Sequence, residues 1–418
     1  MNSYTFQVIN FSYDHAIQND LKIFIGSDAV DNTMHNYLED LFIGFDAARI
    51  RSGGGIAHLI GLLSGIQQQS RKPRRVHVWS YKKLLNELPD YPWLTKSSSP
   101  LLNSNLFASL FWQRFVLPLE FKSLKCDILL NLDAASISKV QPNVVISQDL
   151  LAFETGEIAR LPKNMQWLRL IVIKQIQIRA LENAQGVIFL SKYAKKMLSP
   201  YLKKDQKHGI VHHGIDPIFL KNPKKKYAFG SNAIRCVYVS ATDSYKHQWC
   251  VVDAIAQLRH KGLMVSLELI GGGKGFFQKK LEKVINKTDP YQQFVTQIPF
   301  LDKDNLALAL SNADIFVFAS SCENLPITLL EAMASGLPIA CSNRGPMPEV
   351  LGEWDAYFNP ENPGSIAEAI EYLILNEAMR RSGGLKFKEL AKSYNWISCA
   401  SKTLKIIHDS WKSSKGLE

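Results

Sequence analysis

The chain has 418 residues, 46% of them apolar, and a formal net charge of +11. That apolar share excludes wholesale disorder, and at roughly 100–200 residues per domain the length points to two domains with separate cores. The charge points to an anionic partner (nucleic acid, a phosphate-bearing ligand or an anionic membrane face) or to a generally basic surface with none.

In chain order, residues 1–39 come first. FQVINF and LKIFIG read as short strands, but neither is followed by the helix of a βαβ unit. The segment is an N-terminal extension of another kind, and Met34 is an alternative start. It has no basic region followed by an apolar run, so it does not read as a signal peptide.

Residues 40–215 show a regular alternation. LFIGFDAARI (41–50) reads as a buried strand, RSGGG as a turn and IAHLIGLLSGIQQQ as a helix. Strands are predicted over 76–81, 126–132, 143–148, 186–191 and 209–216, with a long helix over 163–185. NLFASLFWQRFVLPLEFKSLK (105–125) interleaves aromatics with Arg114, Lys122 and Lys125. It reads equally as a core helix with a wet face or as a helix lying on an anionic membrane. The most apolar segment, LRLIVIKQIQI (168–178), is too short to span a bilayer and carries Lys174.

GIDPIFLKNPKKKYAFGSN (214–232) mixes Pro, Gly and a basic run and reads as a linker. A second series occupies 216–395, with strands predicted over 234–240, 265–273, 294–300, 314–320 and 337–342. Residues 396–418 read as a C-terminal helix that crosses back to the first domain. Strands alternating with helices predict an α/β protein with parallel sheets and right-handed crossovers. Two such series give two doubly wound, Rossmann-like domains facing each other. The deepest crevice then lies between them, at the carboxyl ends of the strands.

The six cysteines, at 126, 236, 250, 322, 341 and 399, form neither CxxC nor a Cys/His cluster. No disulfide framework or zinc site is expected, and a reducing cytosol suits them.

The stretch SSCENLPITLLEAMASGLP (320–338) carries two glutamates, Glu323 and Glu331, in an apolar neighbourhood. A strand delivers Cys322-Glu323-Asn324 into a turn, Pro326 opens a helix, and Gly336 ends it. The helix N-terminus then faces the crevice as an anion site made of main-chain N–H groups. Glu331, among Leu330, Ala332 and Met333, is best satisfied by neutral hydroxyls such as those of a ribose or a sugar ring. Read singly, each glutamate is better explained as a cap-region or solvated acid; the surrounding pattern reverses that.

Other strand ends point the same way. Lys246, in YVSATDSYKHQW, follows the first strand of the second series, a natural place to meet phosphate. Gly54 and Gly55 lie in the Gly-rich turn of the first series, where positive φ and close ligand approach are available. Gly271, in LIGGGKG, admits a nucleotide or serves a structural turn. Gln148 and Asp149, in SQDLLAFE, are placed to bond a hydroxyl. His213 reads as structural. Asp302-Lys303-Asp304 has the look of a metal motif, but Asp302 is better read as a helix cap.

ENLPITLLEAMASGLPIACSNRGPMPEVLG (323–352) resembles the signature of the group 1, family four, retaining glycosyltransferases of the GT-B fold. That signature is Glu-x7-Glu followed by Ala-Met-Ala-x-Gly-x-Pro, and supporting motifs extend the resemblance over most of 41–400. The resemblance implies that Glu331 holds the ribose of a sugar nucleotide and that Glu323 sits at the reacting centre as the catalytic carboxylate. It implies main-chain contacts from Asn324 and Leu325 to sugar hydroxyls, and from Thr328 and Leu329 to the diphosphate. Lys246, Gly54, Gly55, Gly271 and Phe300 complete the donor site. Two departures stand out: Pro326 replaces a usual glycine, and Ala241 replaces a usual arginine.

The function so implied is transfer of a sugar, with retention, from a UDP- or GDP-sugar to a lipid-linked or growing saccharide. The enzyme would work in surface-polysaccharide (O-antigen-type) assembly, in the cytoplasm at the inner membrane face. No metal, no cofactor beyond the sugar nucleotide, and no nucleic-acid partner are expected. The alternatives are a sugar-nucleotide epimerase of GT-B-like shape and a basic nucleic-acid-binding protein. The latter needs a clustered basic face with stacking aromatics, whereas the basic residues here are scattered.

Overall fold

The structure, a computed structural model, describes residues 38–51, 53–161, 165–221 and 234–417. The strands read in the first 37 residues, Met34 and the basic run of the linker lie outside the described residues.

Two parallel sheets organise the chain. The first contains β1 (Phe42–Asp46), β2 (Arg75–Trp79), β3 (Leu94–Ser97), β4 (Ile128–Asn131), β5 (Asn143–Ser147), β6 (Gly186–Phe189) and β7 (Lys207–Ile210). Their order is β3-β2-β1-β4-β5-β6-β7. The second contains β8 (Ile234–Val239), β9 (Val265–Ile270), β10 (Val295–Ile298), β11 (Ile315–Phe318), β12 (Ile339–Ser342) and β13 (Tyr357–Phe358), ordered β10-β9-β8-β11-β12-β13. β1, β4, β5, β6, β11 and β12 are buried along their whole length, as strands covered by helices on both faces must be.

The strands are shorter than the apolar runs that signal them. β1 stops at Asp46 because its carboxylate accepts the Ala48 N–H (3.0 Å) and turns the chain. β3 (LTKS) and β13 (YF) have no apolar signature. They exist because β2 and β12 offer unpaired parallel edges. In each sheet the chain reverses direction between two central strands, β1 and β4 in the first, β8 and β11 in the second. Ligand sites of open α/β sheets form at such points.

The helix Trp396–Lys415 packs on the first sheet's side of the molecule, against the helix Gly53–Gln67. Glycine makes this approach possible. A Cβ on Gly61 would lie 2.1 Å from the Trp396 ring, one on Gly65 2.1 Å from the Trp396 carbonyl oxygen, and one on Gly214 2.4 Å from the Trp396 nitrogen. The carboxamide of Gln69 then donates to the carbonyl of Ile397 (2.8 Å). Beneath Trp396 the rings of His58 and His213 meet at Nδ1···Nδ1 2.7 Å. Burial depresses both, His58 to about 4, so the pair is neutral and structural.

Gly65→Ala forces a methyl into the Trp396 main chain. A destabilisation of about 1–3 kcal/mol is expected, by analogy with overpacked cores. Thermal unfolding measures it, and an unchanged midpoint would show that the C-terminal helix does not depend on this contact.

Candidate active site

Residues that follow β1, β4 and β5 of the first sheet and β8 and β11 of the second face one another across a crevice of about 350 Å³. From the first sheet come Arg49, Arg51, Gly54 and Gly55 after β1, Asp133 after β4, and Gln148 and Asp149 after β5. From the second come Tyr245 after β8 and Cys322, Glu323 and Asn324 after β11. The two halves touch directly: the Asn324 side-chain amide donates to the carbonyl of Ser147 at the end of β5 (2.5 Å).

Lys246 and Glu323 form an ion pair, Nζ to Oε1, with side chains only 13% and 14% exposed. The backbone of Lys246 is pinned from below, because the buried Tyr238 hydroxyl donates to its carbonyl (2.7 Å). The ammonium also lies 4.9 Å from the Tyr245 ring centroid. Lys246 belongs to a turn. The helix begins at Gln248, after His247 adopts a left-handed φ of 49°.

The helix Ile327–Ala334 follows Glu323 in the chain, and its first residue, Ile327, comes close to Gly54 of the first domain. Its first free donors differ from the sequence expectation. The Leu329 N–H is already bonded to the Pro326 carbonyl (3.1 Å), so it is not available to a diphosphate. The N–H groups of Asn324, Leu325, Ile327 and Thr328 have no backbone acceptor among the described residues. The Pro326 carbonyl closes this first turn, accepting the Leu330 N–H (3.3 Å) as well as that of Leu329.

Glu331 lies further along the same helix, outside the crevice lining. It is partly exposed yet well enclosed by protein, and its carboxylate has no hydrogen-bond partner among the described residues. Desolvation raises its carboxyl to about 8, with Lys303 lowering it and Asp216 raising it. Those two neighbours are themselves paired at 2.6 Å.

The glycines play other parts than the sequence suggests. Gly53, Gly54 and Gly55 form the first turn of a helix, and none has a positive φ. Gly55 is needed for space instead: a Cβ there would lie 3.2 Å from the Gln148 side-chain oxygen and from Ile50. Gly54 looks across the crevice at Ile327, 3.9 Å from where its Cβ would be. Gly271 does have a positive φ, 113°, and a Cβ would lie 2.3 Å from the Ser240 carbonyl oxygen. Its requirement is thus the close approach of two strand ends. Phe300 is 81% exposed and lies outside the crevice lining. Asp302 caps the helix Lys303–Asn312, accepting the Asn305 N–H at 2.9 Å.

Asp149 faces the water of the crevice while protein closes around it. Desolvation is the chief cause that raises its carboxyl; the Leu151 N–H bond opposes, and Asp133, Glu323 and Asp243 add to the rise. Gln148 has a buried amide nitrogen without a partner among the described residues.

Beside the crevice, groups invisible in the sequence pattern join the domains. Ser321 donates to the buried carboxylate of Glu157 (2.6 Å) and contacts His247 Nε2 (2.8 Å). Arg160 binds Glu157 (2.8 Å) and also pairs with Glu361. Glu349 accepts the Lys192 and Tyr193 N–H groups at 2.8 and 2.9 Å, capping a first-domain helix from the second domain. Only the strand-end rule could have signalled Asp133 and Arg51. Nothing local marks Glu157 or Glu349.

Comparison with known proteins agrees with this geometry. Residues 221–387 match the family described as glycosyl transferases group 1. An uncharacterised glycosyltransferase of Methanocaldococcus jannaschii is 26% identical over 235 residues, 55% of this chain and 61% of that protein. The O-antigen chain mannosyltransferase B of Escherichia coli is 23% identical over 136 residues, 32% of this chain and 35% of that protein. The chain thus spans under two thirds of the length of these relatives. Sucrose-phosphate synthase of Thermosynechococcus elongatus superposes with a TM-score of 0.71 at 18% identity, covering 89% of this chain and 100% of that one. The fold is GT-B.

If a ligand hydroxyl donates to Glu331, the ligand must displace a proton that the free protein holds below about pH 8. Affinity for UDP or GDP is therefore expected to rise with pH and level off above 8. Glu331→Gln should flatten that dependence and weaken binding about tenfold, the loss of one charged hydrogen bond. Titration calorimetry from pH 6 to 9 measures both.

Proposed function

Taking residues 221–387 as a group 1 glycosyltransferase domain within a GT-B fold, we propose that the protein transfers a sugar, with retention, from a nucleoside-diphosphate sugar to a saccharide acceptor. The observation that carries this reading is the Lys246–Glu323 pair, whose glutamate lines the crevice opposite the first domain.

The chemistry follows from the parts. The bond from the anomeric carbon to the diphosphate oxygen breaks, and negative charge grows on the leaving phosphate. Lys246 and the N–H groups of Ile327 and Thr328 are preorganised to stabilise that charge. Glu323 stabilises positive charge on the sugar ring. The acceptor hydroxyl attacks from the face the diphosphate leaves, and its proton passes to the departing phosphate oxygen. A double displacement needs two carboxylates about 5–5.5 Å apart around the scissile bond. Glu323 is already engaged with Lys246, so the single displacement on one face fits better.

A second cation replaces the arginine absent at Ala241. Arg51 lines the crevice from the first domain and has no carboxylate partner among the described residues. The Leu102 carbonyl (3.1 Å) and the Tyr81 ring (4.1 Å) hold it in place. Arg49, by contrast, is paired to Asp133 at 3.3 Å.

The acceptor in this reading is a lipid-linked or growing saccharide, and the site of action is the cytoplasmic face of a membrane, in surface-polysaccharide assembly. The support is the O-antigen relative and the exposed apolar side chains Phe107, Phe111, Phe115 and Leu119 on the helical stretch 106–124. Among the described residues no helix is long and apolar enough to cross a membrane.

A panel of UDP- and GDP-sugars, scored by thermal protection and by slow release of free sugar, tests the reading. One donor should protect and be hydrolysed. Glu323→Gln should retain protection and lower turnover roughly 100-fold or more, and Lys246→Ala should weaken donor binding as well. Interconversion of free sugar nucleotides without an acceptor would instead identify an epimerase, and protection by no nucleotide would end the proposal.

A further inference from the structure

A buried carboxylate sits in the seam between the domains, beside the crevice and outside its lining. Glu157 belongs to the helix Thr155–Arg160 of the first domain and is only 5% exposed. Its Oε1 accepts from the Ser321 hydroxyl (2.6 Å) and from the Arg160 guanidinium (2.8 Å). Its Oε2 is buried with no hydrogen-bond partner among the described residues. Charge so enclosed is costly. Burial accordingly raises the carboxyl, and the Ser321 bond and the Arg160 charge oppose the rise. The sugar-transfer chemistry proposed above makes no use of this group.

The contacts of Glu157 lead to the lysine beside the crevice. The Ser321 hydroxyl hydrogen goes to Glu157, which leaves its oxygen to accept, and His247 Nε2 lies 2.8 Å away. The Ser321 N–H donates to the Tyr245 carbonyl (2.8 Å). Tyr245, Lys246 and His247 are consecutive, so Ser321 grips the turn on both sides of the lysine. His247 is buried and holds φ at 49°. Residues with a side chain rarely adopt that conformation, and surrounding contacts must over-determine it. Burial pushes the His247 imidazole down to about 4, with the charges of Arg160, Lys280 and Arg344 adding to the shift. The ring is therefore neutral and has one hydrogen to give to Ser321. Arg160 continues the link into the second domain, where it pairs with Glu361, and Arg344 approaches the same carboxylate at 3.7 Å.

We infer, on the sugar-transfer reading above, that Glu157 is a positioning residue for Lys246. Through Ser321 and His247 the first domain fixes the turn that carries the lysine, so the ammonium is aimed at the leaving diphosphate when the two domains are together. Contact between the domains and the chemistry are thereby linked. Charge on the leaving phosphate grows in the transition state, so a misplaced lysine is felt more in turnover than in donor binding.

Hydrogen exchange on the full chain reads the turn without any substrate. The Thr242 and Lys246 N–H groups, bonded to the Gly272 and Asp243 carbonyls (3.3 and 3.2 Å), report on it. Glu157→Gln should speed their exchange about tenfold, the loss of one charged hydrogen bond. With the donor that the nucleotide-sugar panel identifies, the same variant should lower turnover about tenfold and leave the donor Kd within about threefold. Glu349→Gln removes a different interdomain contact, the cap on the first-domain helix Lys192–Leu198. It should leave exchange at the turn and turnover within about threefold of the wild type. His247→Gly suits the left-handed φ and leaves Glu157 in place. It should reproduce the effects of Glu157→Gln, and it decides the question if that variant folds poorly. Unchanged exchange at the turn in these two variants would overturn the role. So would equal effects of Glu157→Gln and Glu349→Gln, which would mean a general loosening of the seam. A wild-type protein that hydrolyses no nucleotide sugar would count against the sugar-transfer reading, while exchange still decides whether Glu157 holds the turn.

Discussion

A lysine and a glutamate that lie 77 positions apart in the chain share one poorly hydrated spot at the ends of two strands. Each would be costly there alone, because an uncompensated charge away from water is strongly disfavoured. Their pairing requires β8 and β11 to be neighbours, which is the point where the second sheet reverses its winding. The same point in the first sheet, between β1 and β4, brings Arg49, Arg51 and Asp133 opposite. The crevice exists because both reversals face each other.

Several interdomain contacts hold that opposition. Asn324 reaches Ser147, Arg160 reaches Glu361, and Glu349 caps a helix of the other domain. The C-terminal helix adds a strap, with Trp396 seated on Gly61, Gly65 and Gly214. Most of these contacts are polar, so they are individually weak and re-formable. Under the proposed function, a cleft that admits a nucleotide and then excludes water is well served by such a seam.

Glu331 stands apart from the crevice lining but shares the helix that follows Glu323 in the chain. Its carboxyl is raised to about 8 by burial, and only the Lys303 charge favours the ionised form. In the nucleotide complex proposed above, that deficit becomes a preference for hydroxyl donors. Lys303 and Asp216, a neighbouring pair on the linker side, set the level of the shift.

Much of this was legible in one dimension. Alternation of apolar runs with helical periodicity is local, so two doubly wound sheets could be read from it; the GT-B type rested on the resemblance carried by residues 323–352. Glu323, Asn324 and Lys246 stood out because chemistry at the end of an apolar strand has few other reasons to be there. The rest needed three dimensions. β3 and β13 form only because a parallel edge was waiting. Which N–H groups stay free depended on how the Pro326 carbonyl closes one turn, and Gly54 and Gly55 proved to open a helix. Glu157, Glu349 and Arg51 acquire partners from 50 to more than 150 positions away. A sequence specifies its own periodicity, because that is a property of neighbours. Which distant charges and cavities meet is decided only when the chain is folded.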